Sequence, residues 1–232
     1  MPQNSSLIID CQECLFKWFV TKYISNEDFD KLYRTSVQVR YTKGEYLAKQ
    51  GVISHNLIFL SKGKVKFNYK TEKGDNVILT ISSAPSLLGG INLINEDKSF
   101  FSIIAIEEVE ACLIKIEVLK ELMSSSNQLT LKMIEFVTSI FRDSIFNFIN
   151  LAHKQVNGRI ADILLFLSRS VYKSQSFTLT ITRKELSEFA SCSQENVIHT
   201  LSRFNREGLI RLNSKQIEIL DMAKLENISR FG

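Results

Sequence analysis

The sequence predicts an α+β chain: an N-terminal antiparallel β-roll, one long helix, and a winged helix-turn-helix at the C-terminal end. Three observations carry this. Between Val37 and Ile116, short β-branched and aromatic runs alternate with glycine-marked turns, the pattern of a small antiparallel barrel or roll. From Gln128 to about Ala152, apolar residues recur at helical spacing on two neighbouring stripes. From Ile181 to Leu212, two short amphipathic helices joined by small residues run into a strand pair.

Composition sets the frame. A chain of 232 residues, 44% hydrophobic and 23% charged, can bury one or two cores. A net charge of +4 permits nucleic-acid binding without requiring it. The opening Met1-Pro2-Gln3-Asn4-Ser5-Ser6 lacks the features of a secretory signal, and no apolar run reaches the ~20 residues of a membrane span. Four cysteines (Cys11, Cys14, Cys112, Cys192) fit a reducing compartment better than a disulfide framework. The expectation is a cytoplasmic protein with no membrane partner. Three regions are expected: 1–127 with the roll and the N-terminal helices, 128–155 with the long helix and a hinge, and 156–232 with the winged helix-turn-helix.

The first segment, to about Ser36, is helical in pattern. Leu15, Phe16, Trp18 and Phe19 cluster near the first two cysteines, and Ser25 with Asp28 suggests a helix start ahead of Phe29, Leu32 and Tyr33. In the roll, Leu57-Ile58-Phe59-Leu60 is a buried strand, and Val65, Phe67 and Tyr69 alternate inward. The pair Gly89-Gly90 lies between strands, where another backbone or a ligand can approach closely.

Ser124 to Asn127 is a break before the long helix. There Met133, Val137 and Ile140 form one stripe, and Ile134, Phe141, Ile145 and Phe148 form the other. A helix with two apolar stripes must bury both. One is expected on the roll and the other on a second copy, with Met133, Val137, Ile140, Phe141, Ile145 and Phe148 as the interface set. His153 to Asn157 interrupts the pattern, and Gly158 opens the next helix with Ile160, Ile163, Leu164 and Leu167.

In the C-terminal motif, Thr182 and Glu185 have the T-x-x-E spacing of a capping box, and Leu186, Phe189 and Ala190 give one apolar face. Ser191-Cys192-Ser193 form the turn, and Ser193 can cap the second helix. Val197, Leu201 and Phe204 form its buried stripe. Gln194, Glu195, Asn196, His199 and Arg203 are left on the open face, long enough to reach base edges in a major groove. A hairpin follows, Leu209 to Leu212 and Gln216 to Leu220 about a turn at Asn213-Ser214.

This order of roll, long helix, hinge and winged helix-turn-helix resembles the Crp/Fnr family of bacterial transcription regulators, most like its Bacteroidetes branch, over nearly the whole chain. The most specific residues are Val156-Asn157-Gly158-Arg159-Ile160-Ala161, Ile181-Thr182-Arg183-Lys184-Glu185-Leu186 and Cys192-Ser193-Gln194-Glu195-Asn196-Val197. The resemblance implies a homodimer on pseudo-palindromic double-stranded DNA, with RNA polymerase as a further partner. It implies that Glu195 accepts from a cytosine amine and that Thr182, Arg183 and Ser193 touch phosphate. Gln194 and His199 stand where better-known members have arginines, so the preferred half-site is expected to differ from theirs.

For the effector, the resemblance opens three readings. Cyclic AMP requires a Gly-Glu pair and an arginine fork. Here Gly90 replaces the carboxylate, Lys98-Ser99 is the nearest counterpart of the fork, and Ser144 is the one hydroxyl kept on the long helix, which speaks against cyclic AMP. An iron–sulfur cluster would begin from Cys11 and Cys14 with Cys112 as the distant ligand, but a cubane takes four thiolates and a third N-terminal cysteine is missing. The third reading is a haem, an apolar ligand or no ligand, and no cofactor is evident. An enzyme of cupin type would require clustered histidines, whereas His55, His153 and His199 are scattered, and no phosphate-binding loop motif is present. A cyclic-nucleotide-binding regulatory module would leave the recognition helix unexplained.

Overall fold

The computed structural model describes residues 15–90 and 98–232. Cys11 and Cys14, the proposed start of a cluster motif, lie outside the described residues. In chain order the elements are α1 (Leu15–Val20), α2 (Asn26–Arg34), β1 (Val37–Tyr41), β2 (Tyr46–Ala48), β3 (Asn56–Lys62), β4 (Lys64–Lys70), β5 (Asn76–Ser83), β6 (Ser86–Leu88), β7 (Ser102–Ala105) and β8 (Val109–Lys115). Then follow α3 (Ile116–Ser125), α4 (Asn127–His153), α5 (Val156–Phe166), a π-helical turn (Leu167–Val171), β9 (Ser176–Thr178), α6 (Arg183–Ala190), α7 (Gln194–Arg206), β10 (Ile210–Asn213), β11 (Gln216–Ile219) and α8 (Met222–Phe231). Two compact units result, residues 1–65 with 84–142, and 66–83 with 143–232. Among the described residues no helix is long and apolar enough to cross a membrane.

The roll strands form two four-stranded sheets in the orders β1-β8-β3-β6 and β2-β7-β4-β5. β3 is central, with Ile58 paired antiparallel to Leu113 on one side and to Leu88 on the other. Leu57, Ile58, Phe59 and Leu60 are all buried, because side chains alternate across a strand and this one is covered on both faces. Leu57 and Phe59 meet Phe16, Phe29 and Leu32 from the first helices, Leu119 and Leu122 from α3, and Leu129 and Met133 from α4. The Phe16 and Phe59 rings lie 5.1 Å apart. Ser25 caps α2 by accepting from the Asp28 amide at 3.1 Å, as the spacing predicts.

Three expectations are corrected. On β4 the buried residues are Val65 and Asn68, while Phe67 and Tyr69 are half-buried. The Asn68 amide donates across the hairpin to Asn76 Oδ1 at 3.1 Å, so a polar side chain takes the inward place. The interruption at His153–Asn157 is shorter than expected. α4 runs through His153 and α5 starts at Val156, ahead of Gly158, leaving only Lys154 and Gln155 between them. Met133 belongs to the core of its own roll, 3% exposed, and has no surface to offer a second copy.

α4 is about 40 Å long. Its roll-facing stripe is Leu129, Met133 and Val137. The other stripe is uncovered: Ile134 is 53% exposed, Phe141 66%, Ile145 43% and Phe148 72%, with Ile140 beside them at 39%.

In the second unit, α5 buries Ile160, Ile163 and Leu164, and the π-turn adds Leu167. α8 closes this unit through Leu225 and through Gly232, the residue that follows it. A Cβ added to Gly158 would collide with the Gly232 carbonyl oxygen, so the start of α5 and the end of α8 touch backbone to backbone. Lys154 Nζ reaches Asp162 Oδ2 at 2.5 Å, and Ser229 donates to the other oxygen of the same carboxylate.

Candidate nucleic-acid interface

α6 begins with the capping box that the T-x-x-E spacing predicts. Thr182 Oγ1 accepts from the Glu185 amide at 3.1 Å, and Glu185 Oε2 accepts from the Thr182 amide at 2.7 Å. The second carboxylate oxygen of Glu185 takes Lys66 Nζ at 2.6 Å within the same unit. Burial alone would raise the Glu185 carboxyl, but the Lys66 ammonium and the Thr182 donors outweigh it and hold the group below the usual range. Leu186 and Ala190 are fully buried. Ser191 then adopts the left-handed conformation (φ 48°) that stops the helix, and its amide donates to the Ser187 carbonyl.

Ser193 caps α7 by accepting from the Asn196 amide at 3.2 Å. Val197, Thr200, Leu201 and Phe204 are buried, which fixes the rotation of the helix about its axis. The Thr200 hydroxyl donates to Asn157 Oδ1 at 3.1 Å, tying α7 to the start of α5. Asn205 Oδ1 accepts from the Leu212 amide at 2.8 Å, tying its end to the wing. β10 and β11 pair Arg211 with Glu218 across the wing, and β9 adds a third strand through Phe177 opposite Ile217.

That rotation leaves Gln194, Glu195, Asn196 and His199 exposed. Glu195 is fully exposed, and its carboxyl is held below the usual range by its own backbone amide and the Ser193 hydroxyl. At neutral pH it is therefore an acceptor, the character that a cytosine amine requires. Arg203 is half-buried rather than on the open face. Its guanidinium lies 5.7 Å from the Phe204 ring centroid, and its Nε is 3.7 Å from Glu207 Oε1. Arg183 Nη2 donates to the Ser214 carbonyl at 2.7 Å, so this arginine braces the turn of the wing. Sequence reasoning missed Ile198, Ser202 and Arg206, which are also exposed on α7. At about 100° per residue they fall on the same side as Glu195, a signal that was available in the sequence.

The proposed effector residues of the roll are placed as follows. Gly89 has φ +85°, a conformation suited to glycine. A Cβ on Gly90 would stand 2.7 Å from the Phe136 ring, so the aromatic side chain of α4 packs directly on this turn. Ser99 is buried, and its hydroxyl donates to the Phe101 carbonyl at 2.9 Å, while Lys98 is exposed. Ser144 is exposed on α4. Cys112 is half-buried against the roll core, and burial raises the thiol of Cys192 in the helix-turn-helix turn. Among the described residues, no three His, Cys, Asp or Glu side chains gather as a metal site would require.

Two family models match the chain: a cyclic nucleotide-binding domain over residues 38–126 and a Crp-like helix-turn-helix domain over residues 158–228. Among curated proteins, the transcriptional activator protein Anr of Pseudomonas aeruginosa is 28% identical, over 93% of this chain and 90% of that protein. The CRP-like cAMP-activated global transcriptional regulator of Mycobacterium tuberculosis is 24% identical, over 83% of this chain and 88% of that protein. The solved structure of FixK2 from Bradyrhizobium japonicum superposes with a TM-score of 0.76 at 18% identity, covering 84% of this chain and 97% of that one, a likeness of fold. With a nucleotide-binding-type roll before the long helix, a Crp-like reading head after it, and regulators as relatives along most of its length, the chain belongs to the Crp/Fnr family of transcription regulators.

Proposed function

We propose that this regulator binds a pseudo-palindromic DNA site as a homodimer joined along α4. Each α7 then reads one half-site, with the half-sites about one helical turn apart. The observation that carries this is the pairing of two exposed faces: Glu195 and its polar neighbours on α7, and the uncovered apolar stripe of Phe141, Ile145 and Phe148 on α4. Glu195 accepts from a cytosine amine, Gln194, Asn196 and His199 complete the base and backbone contacts, and the Thr182 and Ser193 helix starts offer amides to phosphate. Arg183 holds the wing in place beside the phosphates. The dimer acts in the cytoplasm, with RNA polymerase as a further partner.

For the roll, two observations speak against a cyclic nucleotide at the Gly89–Gly90 turn: Phe136 stands against Gly90, and the Ser99 hydroxyl is already committed to Phe101. The cyclic AMP that activates the M. tuberculosis relative is therefore not carried over.

The test is in-vitro selection from randomised duplexes with the full chain. Wild type should enrich a two-fold symmetric site, and Glu195→Ala should lose discrimination at one base pair per half-site by ~1–3 kcal/mol while its circular dichroism is unchanged. Enrichment of the same site by both proteins removes Glu195 from base reading.

A further inference from the structure

Ile198 is an anomaly on α7. The buried stripe of that helix is complete without it, in Val197, Thr200, Leu201 and Phe204. Yet Ile198 is 48% exposed, on a face otherwise made of polar side chains. A β-branched residue also forms helix less readily than the straight-chain polar residues that usually fill such a face. Neither packing nor helix propensity explains it.

Its place on the helix is informative. Ile198 lies three residues after Glu195, about 60° around the axis and about 4.5 Å further along it. It is flanked by His199 and, one turn on, by Ser202, both exposed. A step of that length exceeds the ~3.4 Å rise of one base pair and falls short of two, which reaches a neighbouring pair. The edges of a major groove offer hydrogen-bond donors and acceptors everywhere but one: the C5-methyl of thymine is the apolar group there. An exposed branched aliphatic side chain among polar readers has that methyl as its complement.

We infer that Ile198 reads thymine through its C5-methyl, at a base pair neighbouring the C·G pair read by Glu195. This rests on the proposed role of α7 as the base-reading helix and adds to it a preference that no hydrogen bond supplies. Burying one methyl against the isoleucine gives about a fourfold preference per half-site, and about fifteenfold when both halves of a dimer site carry it.

The test uses the selected duplex with each thymine replaced in turn by deoxyuridine, which removes only the methyl. Affinities of wild type, Ile198→Ala and Ile198→Ser are measured by fluorescence anisotropy. Wild type should lose about fourfold at one position in each half-site, and both variants should be indifferent to that replacement while still preferring the Glu195-dependent pair. Selective binding by wild type with no uracil-sensitive position overturns the inference alone, as does a sensitivity that persists in Ile198→Ala. Sequence-independent binding by wild type overturns it together with the base-reading role of α7.

Discussion

Phe141→Ala tests the two-stripe reading of α4. In the single chain Phe141 is 66% exposed, so its removal leaves the core intact. Fully burying a phenylalanine side chain stabilises by ~2.5 kcal/mol, and about two-thirds of that, ~1.6 kcal/mol, remains to be gained when a partner covers it. A two-fold interface counts every substitution twice, so the dimer should lose ~3 kcal/mol, roughly a hundredfold in its dissociation constant. Sedimentation equilibrium over a range of concentrations reads this directly. Met133→Ala is the matched control. That side chain is 3% exposed inside the roll, and its truncation should destabilise the fold by ~2–5 kcal/mol with little effect on self-association in the folded protein. A Phe141→Ala dimer whose constant stays within about threefold of wild type would refute the seam, since the expected loss is far larger.

Two further perturbations probe the second unit. The Glu185 carboxyl is depressed in the folded state, so its stabilisation is fully present above the ordinary value of 4.5 and is lost as pH falls through the lower folded value. Calorimetry between about pH 6 and pH 3 should show the transition temperature of wild type falling more steeply than that of Glu185→Gln, and parallel curves would remove the ion pair from the account. Gly158→Ala places a Cβ on the Gly232 backbone, where no flexible side chain can yield. It should cost ~1–3 kcal/mol in chemical denaturation, and an unchanged midpoint would show that α8 is free to move away.

The parts of this chain that sequence made legible are those where one residue's role follows from its neighbours. Thr182 and Glu185 specify a helix start within four residues, and Val197, Leu201 and Phe204 mark a buried face by spacing alone. α3 was missed because Ile116 to Ser125 follows β8 with no glycine or proline between them, so strand passes into helix unmarked. α8 carried a capping signal in Asp221, which accepts from the Lys224 amide, but its burial depends on contact with distant α5. Asn68 broke the inward alternation of β4 because its partner, Asn76, lies on the next strand. Arg203 was assigned to the open face by its charge. Its guanidinium lies over the adjacent Phe204 ring instead, a contact that charge patterning does not predict. Met133 shows the same limit: periodicity placed it on a stripe, and only tertiary packing decided which surface that stripe meets.

The contact between Gly90 and Phe136 makes two distant positions a single choice. Any side chain at 90 collides with the ring, and a small residue at 136 alone leaves a void against a bare backbone. Introducing a glutamate at 90 therefore requires the Phe136 ring to move, and it is easier once position 136 has been made small. The two sites form an epistatic pair whose double variant should be more stable than the separate effects sum to. Each single change leaves this turn poorly packed, so positions 90 and 136 are best exchanged together.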